Sequence, residues 1–443
     1  MNYRKSLTKL FDLQKFGIKV GLDSMNSLLD ALGRPEKDAR FVHIAGTNGK
    51  GSTAAMLASV LTAGGYKVGL YTSPHLVTFR ERIQLDGVMI SEEETLDLFS
   101  RVWAVIDESK PPTFFEFVSA MAFMYFQRHK PDISVIETGL GGRLDSTNVI
   151  SPLIVGLTNI SLEHTEYLGS TLAAIAAEKA GIIKKGLTAV GGRFPRAVEE
   201  VILARIKEVG AAGKFLDTDF HIQNEDCRPA GPVFSYLGPK WQLDDLSPSL
   251  AGPYQAENGA IAVALAESLS DLGFAVSAEA VRNGLTNVKW PGRAERFAPG
   301  TWPLDHRSQA PLVLDGAHNP GGAQAFKTYL QKAVKGDLHL VVGVMADKDI
   351  SGVLGPLVPL ASRLYLTRPE YERAASPEEL LNRLTSALGP MTVPTVLCPT
   401  IPEALAKAAL EAGPNDLVVV SGSLFTVGET RAYLTGEPVV ESN

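Results

Sequence analysis

Apolar positions along this chain fall into two alternating patterns. Short, largely β-branched runs lead into glycine-rich turns, and the turns lead into stretches with helical spacing of apolar residues. Phe41–Ala45 is the first run; GTNGKG follows, then the helical STAAMLASVLTAGGY, then a second strand-like run, KVGLYTS. ISVIETG (133–139), LIVGLTNIS (153–161) and LTAVGG (187–192) repeat the strand pattern. Strands alternating with helices predict βαβ units and a mostly parallel sheet. Residues 213–250 break the rhythm, with Pro, Gly, Asp and aromatics among short pieces such as PVFSYLG, and predict a small antiparallel appendage. From Ala294, AERFAPGTWPLDHRSQAP has three prolines and little apolar period. It marks a linker over 297–308, between a domain at 1–296 and a second at 309–443. Beyond it the alternation restarts at PLVLDGAHNPGG and runs to DLVVVSGSLF, which predicts a second, smaller α/β domain.

Composition narrows the class. The chain has 443 residues, 45% hydrophobic and 21% charged, ordinary for a soluble globular protein of two or three domains. Lys plus Arg number 42 against 49 Asp plus Glu, a net charge of −7, so no long nucleic acid is expected as a partner. Cys227 and Cys398 are too few and too far apart for a disulfide framework or a cysteine metal knuckle. The first residues carry a charge every few positions without an apolar core, and no run reaches the roughly 20 apolar residues of a membrane span. The expected address is cytoplasmic.

Candidate chemistry concentrates at strand-to-helix turns. Gly46-Thr47-Asn48-Gly49-Lys50-Gly51-Ser52 follows a strand and opens a helix. Glycines there let backbone N–H groups face an anion, the helix terminus adds a favourable dipole, and Lys50 supplies a point charge for β- and γ-phosphates. The spacing departs from G-x-x-x-x-G-K-[ST], and a tight β–α turn with a solvated lysine is the plainer alternative. Glu137 ends an apolar run, a placement that suits a Mg²⁺ ligand or, more simply, a turn carboxylate. Ser73, in YTSPHL, is a metal-ligand candidate or a turn hydroxyl. His164 and His318 each follow a strand in a different domain, which suggests a cleft between the domains. No N-K-x-D string supports a guanine-nucleotide switch, and no G-x-S-x-G elbow supports a serine hydrolase.

In order, HIAGTNGKGS, YTSPHL, RERI (80–83), TFFEF (113–117), ETGLGGRLDSTN (137–148), SLEHTEYLG (161–169), AAEKAGIIK (176–184), WPGRAE (290–295) and LDGAHNP (314–320) span the chain, which closes on SGSLFTVGE (421–429). This set resembles the folylpolyglutamate synthase and dihydrofolate synthase branch of the Mur ligase superfamily. The resemblance implies an α/β fold: a P-loop-containing, Mur-ligase-like central domain with a small antiparallel appendage, and a smaller Rossmann-like C-terminal domain. It implies an ADP-forming ligase that uses ATP and Mg²⁺ to phosphorylate a substrate carboxylate, which the amino group of L-glutamate then attacks.

By that resemblance Thr47, Asn48, Gly49, Lys50, Gly51 and Ser52 hold the triphosphate, and Asn258, Arg293 and Asp315 contact the nucleotide. Ser73, Glu137 and His164 are the implied Mg²⁺ ligands, with Lys50, Lys179 and His164 in catalytic roles. Related ligases carry a carbamylated lysine at the position of Lys179. The pterin end of the substrate is expected against Thr113, Phe114, Phe115 and Glu116 and against Leu144, Asp145 and Ser146. His318 and Ser423 are candidates for the glutamate pocket. Glu163 stands where the family often has Asp, so local geometry is expected to differ there.

TFFEF and RLDST favour a bifunctional enzyme, glutamylating dihydropteroate and the tail of reduced folates, over a polyglutamylase alone. A peptidoglycan Mur ligase is disfavoured because only 45 residues precede Gly46, too few for a UDP-substrate domain. A non-catalytic ATP-binding protein need not keep Glu137, His164 and Lys179 together. A monomer is expected.

Overall fold

Phe41–Ala45 (β1) is buried at every residue, as a strand covered on both faces must be. The computed structural model describes residues 2–437 apart from 18, 20, 108 and 303–307. The following strands are Val68–Tyr71 (β2), Ile83–Leu85 (β3), Val88–Met89 (β4), Ile133–Glu137 (β5), Ile154–Leu157 (β6), Thr188–Gly191 (β7) and Ala212–Phe215 (β8). They form one sheet in the order β4-β3-β2-β5-β1-β6-β7-β8. Six of these strands pair in parallel and the β3–β4 hairpin is antiparallel at one edge. The helices cover both faces. Lys50–Ala63 and Tyr254–Ser270 pack with Val42, Ile44 and Ile154 on one side. Phe114–His129 packs with Phe41, Tyr71 and the N-terminal helices Tyr3–Phe11 and Asp23–Ala31 on the other. Each large side chain so buried contributes about 1.5–3 kcal/mol relative to exposure.

The antiparallel appendage is three strands, His221–Arg228 (β9), Gly231–Leu237 (β10) and Gln242–Leu246 (β11). It begins later than the expected 213, because β8 pairs in parallel with β7 and closes the main sheet. The second sheet contains Glu295–Phe297 (β12), Leu312–Leu314 (β13), Leu338–Val342 (β14), Arg363–Leu366 (β15), Thr395–Leu397 (β16) and Leu417–Ser421 (β17), in the order β12-β13-β17-β14-β15-β16. All its pairings are parallel except β12 with β13. The boundary expected after residue 296 therefore lies inside a strand of the second sheet. Three residues are too few to show an alternating pattern; pairing with β13 is what makes them a strand. Of the expected linker, 303–307 lie outside the described residues.

The two units touch through side chains placed for it. Asn319 of the second unit donates its amide to Asn48 of the first at 3.1 Å. Tyr254 of the first unit donates its hydroxyl to Asp315 of the second at 3.4 Å. Leu76 packs into the core of the second sheet beside Val427. Among the described residues no helix is long and apolar enough to cross a membrane.

Candidate active site

The glycine-rich loop links β1 to the helix Lys50–Ala63, whose cap is Gly49 at φ +89°. A side chain at Gly49 would be strained there, and its Cβ would overlap the Asn258 amide, 3.1 Å from Cγ. The loop is clamped from β6: Thr47 N donates to Asn159 O at 2.6 Å, Thr158 Oγ1 to Asn48 O at 2.8 Å and Ser161 N to Thr47 Oγ1 at 3.1 Å. From the second unit, Asn319 Nδ2 donates to Asn48 Oδ1 at 3.1 Å. Lys50 Nζ lies over the loop, donating to Gly46 O at 3.0 Å and Thr47 O at 3.1 Å.

This loop is one wall of a polar cavity of about 460 Å³ between the units. Thr47, Asn48, Gly49, Lys50, Gly51, Ser52, Ser73, Glu137, His164, Asn258, Arg293, Asp315 and His318, all singled out in the sequence, line it together. Glu137 ends β5, buried, with Oε2 accepting from Ser73 N at 3.0 Å. Burial pushes its pKa up, against Lys50, the Ser73 N–H, Arg293 and Arg82. A buried carboxylate in that state suits a cation. Among the described residues no three His, Cys, Asp or Glu gather as a metal cluster, and the expected set of Ser73, Glu137 and His164 has two such ligands and a hydroxyl. Burial lowers His164, so its imidazole is neutral and able to act as a ligand.

Lys179 lies behind the loop, 1% exposed, and donates from Nζ to Gly46 O at 2.7 Å and Glu163 Oε1 at 2.9 Å. Burial brings its ammonium down to about 8 despite Glu163. Burial pushes Glu163 up, but Lys50 and Lys179 outweigh it and hold the carboxyl below its usual value. Asp315, at the end of β13, accepts from Ala294 N and Ala317 N, both at 2.9 Å. Burial raises its carboxyl to about 6, opposed by Arg293 and those two N–H groups. His318 Nδ1 donates to Gly316 O at 2.7 Å, and burial lowers this ring to about 4.

A second, more apolar cavity of about 490 Å³ adjoins the first, and Ser73, Pro74 and Gly139 line both. Thr113, Phe114, Phe115, Leu144, Asp145 and Ser146 line it, as expected for one substrate region. Glu116 does not. Its Oε2 accepts from Thr113 N at 2.7 Å while Glu116 N donates to Thr113 Oγ1 at 3.2 Å, a reciprocal cap on the helix Phe114–His129. Ser423 lines neither cavity either, because its Oγ caps the helix Leu424–Thr435 by accepting from Thr426 N at 3.0 Å.

Several lining residues carried no sequence assignment. Phe11, Gln14 and Lys19 enter from the N-terminal segment, whose charge every few positions carries no sign of a ligand. Arg82 belongs to RERI, whose spacing implies no role for it; its Nε donates to His75 Nδ1 at 2.8 Å and its guanidinium lies 5.2 Å from the Phe114 ring centre. Arg193 and Glu257 line the polar cavity as an ion pair at 3.4 Å.

Comparison with known proteins shows the family. Residues 44–266 match the Mur ligase middle domain and 304–424 the Mur ligase glutamate ligase domain. A dihydrofolate synthase/folylpolyglutamate synthase of Bacillus subtilis is 35% identical, covering 95% of this chain and 96% of that protein. A Mycobacterium tuberculosis folylpolyglutamate synthase complexed with ADP and AMPPCP superposes with a TM-score of 0.87 at 32% identity, covering 99% of this chain and 100% of that one. An FPGS structure with AMPPCP and folate gives a TM-score of 0.82 at 31% identity, covering 97% and 99%.

Proposed function

The chain belongs to the folylpolyglutamate synthase and dihydrofolate synthase branch of the Mur ligase family, and we propose on that footing that it joins L-glutamate to dihydropteroate and to the glutamate tail of reduced folates, releasing ADP. One observation carries this reading. The two cavities meet at Ser73, Pro74 and Gly139, so a carboxylate at the end of a substrate in the apolar cavity reaches the phosphate end of the polar one.

The division of labour follows from the walls. A carboxylate is a poor electrophile until one oxygen becomes a phosphate leaving group. Loop N–H groups and Lys50 hold the transferring phosphoryl group and offset its charge, the main requirement of such a transfer. Asn258, Arg293 and Asp315 hold the nucleotide from both units. Ser73, Glu137 and His164 would hold Mg²⁺, which when bound neutralises phosphate charge. His318 faces the same cavity and serves the incoming glutamate, whereas Ser423 remains a helix cap.

Lys179 carries CO₂ as a carbamate in this reading: the neutral amine attacks carbon, a C–N bond forms as one C=O π bond breaks with its electron pair moving to oxygen, and the nitrogen loses a proton to solvent. Burial favours the neutral amine the reaction needs. A carbamate beside Glu163 sets two anions together, favourable only with a cation near them. The enzyme acts as a cytoplasmic monomer.

The test is glutamate-dependent ADP release with dihydropteroate and with tetrahydrofolate or its monoglutamyl conjugate as acceptors. Release with both supports the bifunctional reading; release only with tetrahydrofolates reduces it to a polyglutamylase; none with either refutes it.

A further inference from the structure

We propose, resting on the assignment of the apolar cavity to the heteroaromatic head of the substrate, that His43 is a positioning residue for Asp145, acting through the hydroxyl of Thr147. None of the three touches the phosphate loop's cavity. His43 is in the middle of β1, paired with Ile136 and Val155, and is fully buried. A polar ring at the centre of a parallel sheet needs a reason.

Hydrogen-bond bookkeeping supplies it. Asp145 Oδ1 accepts from Thr147 N at 3.0 Å and from the Thr147 hydroxyl, and Oδ2 accepts from Leu140 N at 2.8 Å. Thr147 is buried and its hydroxyl has one proton, committed to Asp145. His43 Nε2 lies 2.8 Å from the same hydroxyl oxygen, so the ring must be the donor there. Its Nδ1 then carries only a lone pair, and it is the ring nitrogen without a partner. The opposite tautomer would draw the threonine proton away from Asp145 and bury an unpartnered N–H. Burial, and Lys184 nearby, keep the ring neutral, so this single tautomer is what the sheet holds.

The consequence appears on the cavity wall. The Thr147 N–H and hydroxyl and the N–H groups of Leu140 and Gly139 pin the Asp145 carboxylate from behind, and it lines the apolar cavity as an acceptor for a ligand. A flat heterocycle with N–H donors on its edge, such as a pterin, is the chemistry that acceptor fits. Burial raises the Asp145 pKa, and the Thr147 hydroxyl is the first of the bonds that oppose this. Losing the relay would loosen the carboxylate and weaken it as an acceptor.

The test is a substrate-resolved set of KM values in the full-length enzyme. His43→Leu should raise KM for dihydropteroate about threefold to tenfold, the worth of one neutral hydrogen bond. Thr147→Val should raise it about tenfold or more, because the bond lost is to a charged group. KM for ATP should stay within about twofold in both, and His43→Leu should add nothing further in the Thr147→Val background. A uniform change in all KM values, or additive effects in the double variant, overturns the proposal. Should His43→Leu fail to fold, His43→Gln carries the test, since its amide can donate to Thr147: a parent-like dihydropteroate KM supports the relay and a tenfold rise refutes it. Asp145→Asn separates the two levels. If it leaves dihydropteroate KM unchanged, the assignment of the cavity wall falls; if it raises KM while the His43 and Thr147 variants do not, only the relay falls.

Discussion

Gly428 is where the second unit meets the loop that lines both cavities. It lies in the helix Leu424–Thr435, and a Cβ there would overlap the Leu76 carbonyl oxygen and come within 3.0 Å of its carbon. Leu76 cannot yield by changing rotamer, because the obstacle is backbone. Nor is its loop loose: Glu81 accepts from Leu76 N at 2.7 Å and from Val77 N and Thr78 N at 2.8 Å. Gly428→Ala should by itself favour the helix by about 0.5–1 kcal/mol, so any loss must come from the encounter with Leu76. Restoring contact requires a relative shift of roughly an ångström, and overpacking of this kind costs about 1–3 kcal/mol. The units can relieve it by parting, which moves Ser73 and Pro74 relative to Asp315 and Arg293. A misplacement of about 1 Å at reacting groups costs about a hundredfold in rate. Gly428→Ala should therefore lower kcat/KM about a hundredfold in an ADP-release assay, with a melting temperature within a few degrees of the parent. Activity within about threefold of the parent would refute this account of the interface.

Lys50→Ala should reduce turnover by about two to three orders of magnitude without unfolding the protein, since Nζ hydrogen-bonds to carbonyls of its own loop rather than packing in the core, and calorimetry should show the variant still melting cooperatively. Asp315, raised to about 6, contributes stability that is complete below its ordinary value of 3.8 and lost as pH rises through 6. Asp315→Asn should thus be more stable than the parent at pH 8, by up to about 3 kcal/mol, with the difference shrinking toward pH 4 in denaturant titrations, while nucleotide affinity falls. Lys179→Ala should lose most activity and regain part of it with acetate, and the parent should depend on bicarbonate in CO₂-depleted buffer; a normally active variant would make Lys179 purely structural.

The local grammar of this protein is written in its sequence. A phosphate loop needs glycines, a lysine and a helix start within seven residues, so Gly46–Ser52 can be recognised without coordinates. TFFE is expected as substrate contact throughout, and only the structure shows Glu116 turned back on Thr113 as a helix cap. β12 was hidden for the complementary reason: three residues have no period, and a strand partner must be supplied from elsewhere in the chain. His43 and Thr147 lie 104 residues apart and meet only because β1 is laid beside β5 and β6. Lys179, on an ordinary-looking helix, becomes a buried amine with a depressed pKa only when that helix is pressed behind the phosphate loop. Short-range hydrogen bonding and backbone conformation belong to neighbouring residues and are legible in order along the chain. Burial, and the shifts in proton affinity it causes, belong to whatever the fold brings around a group, and only the tertiary structure decides them.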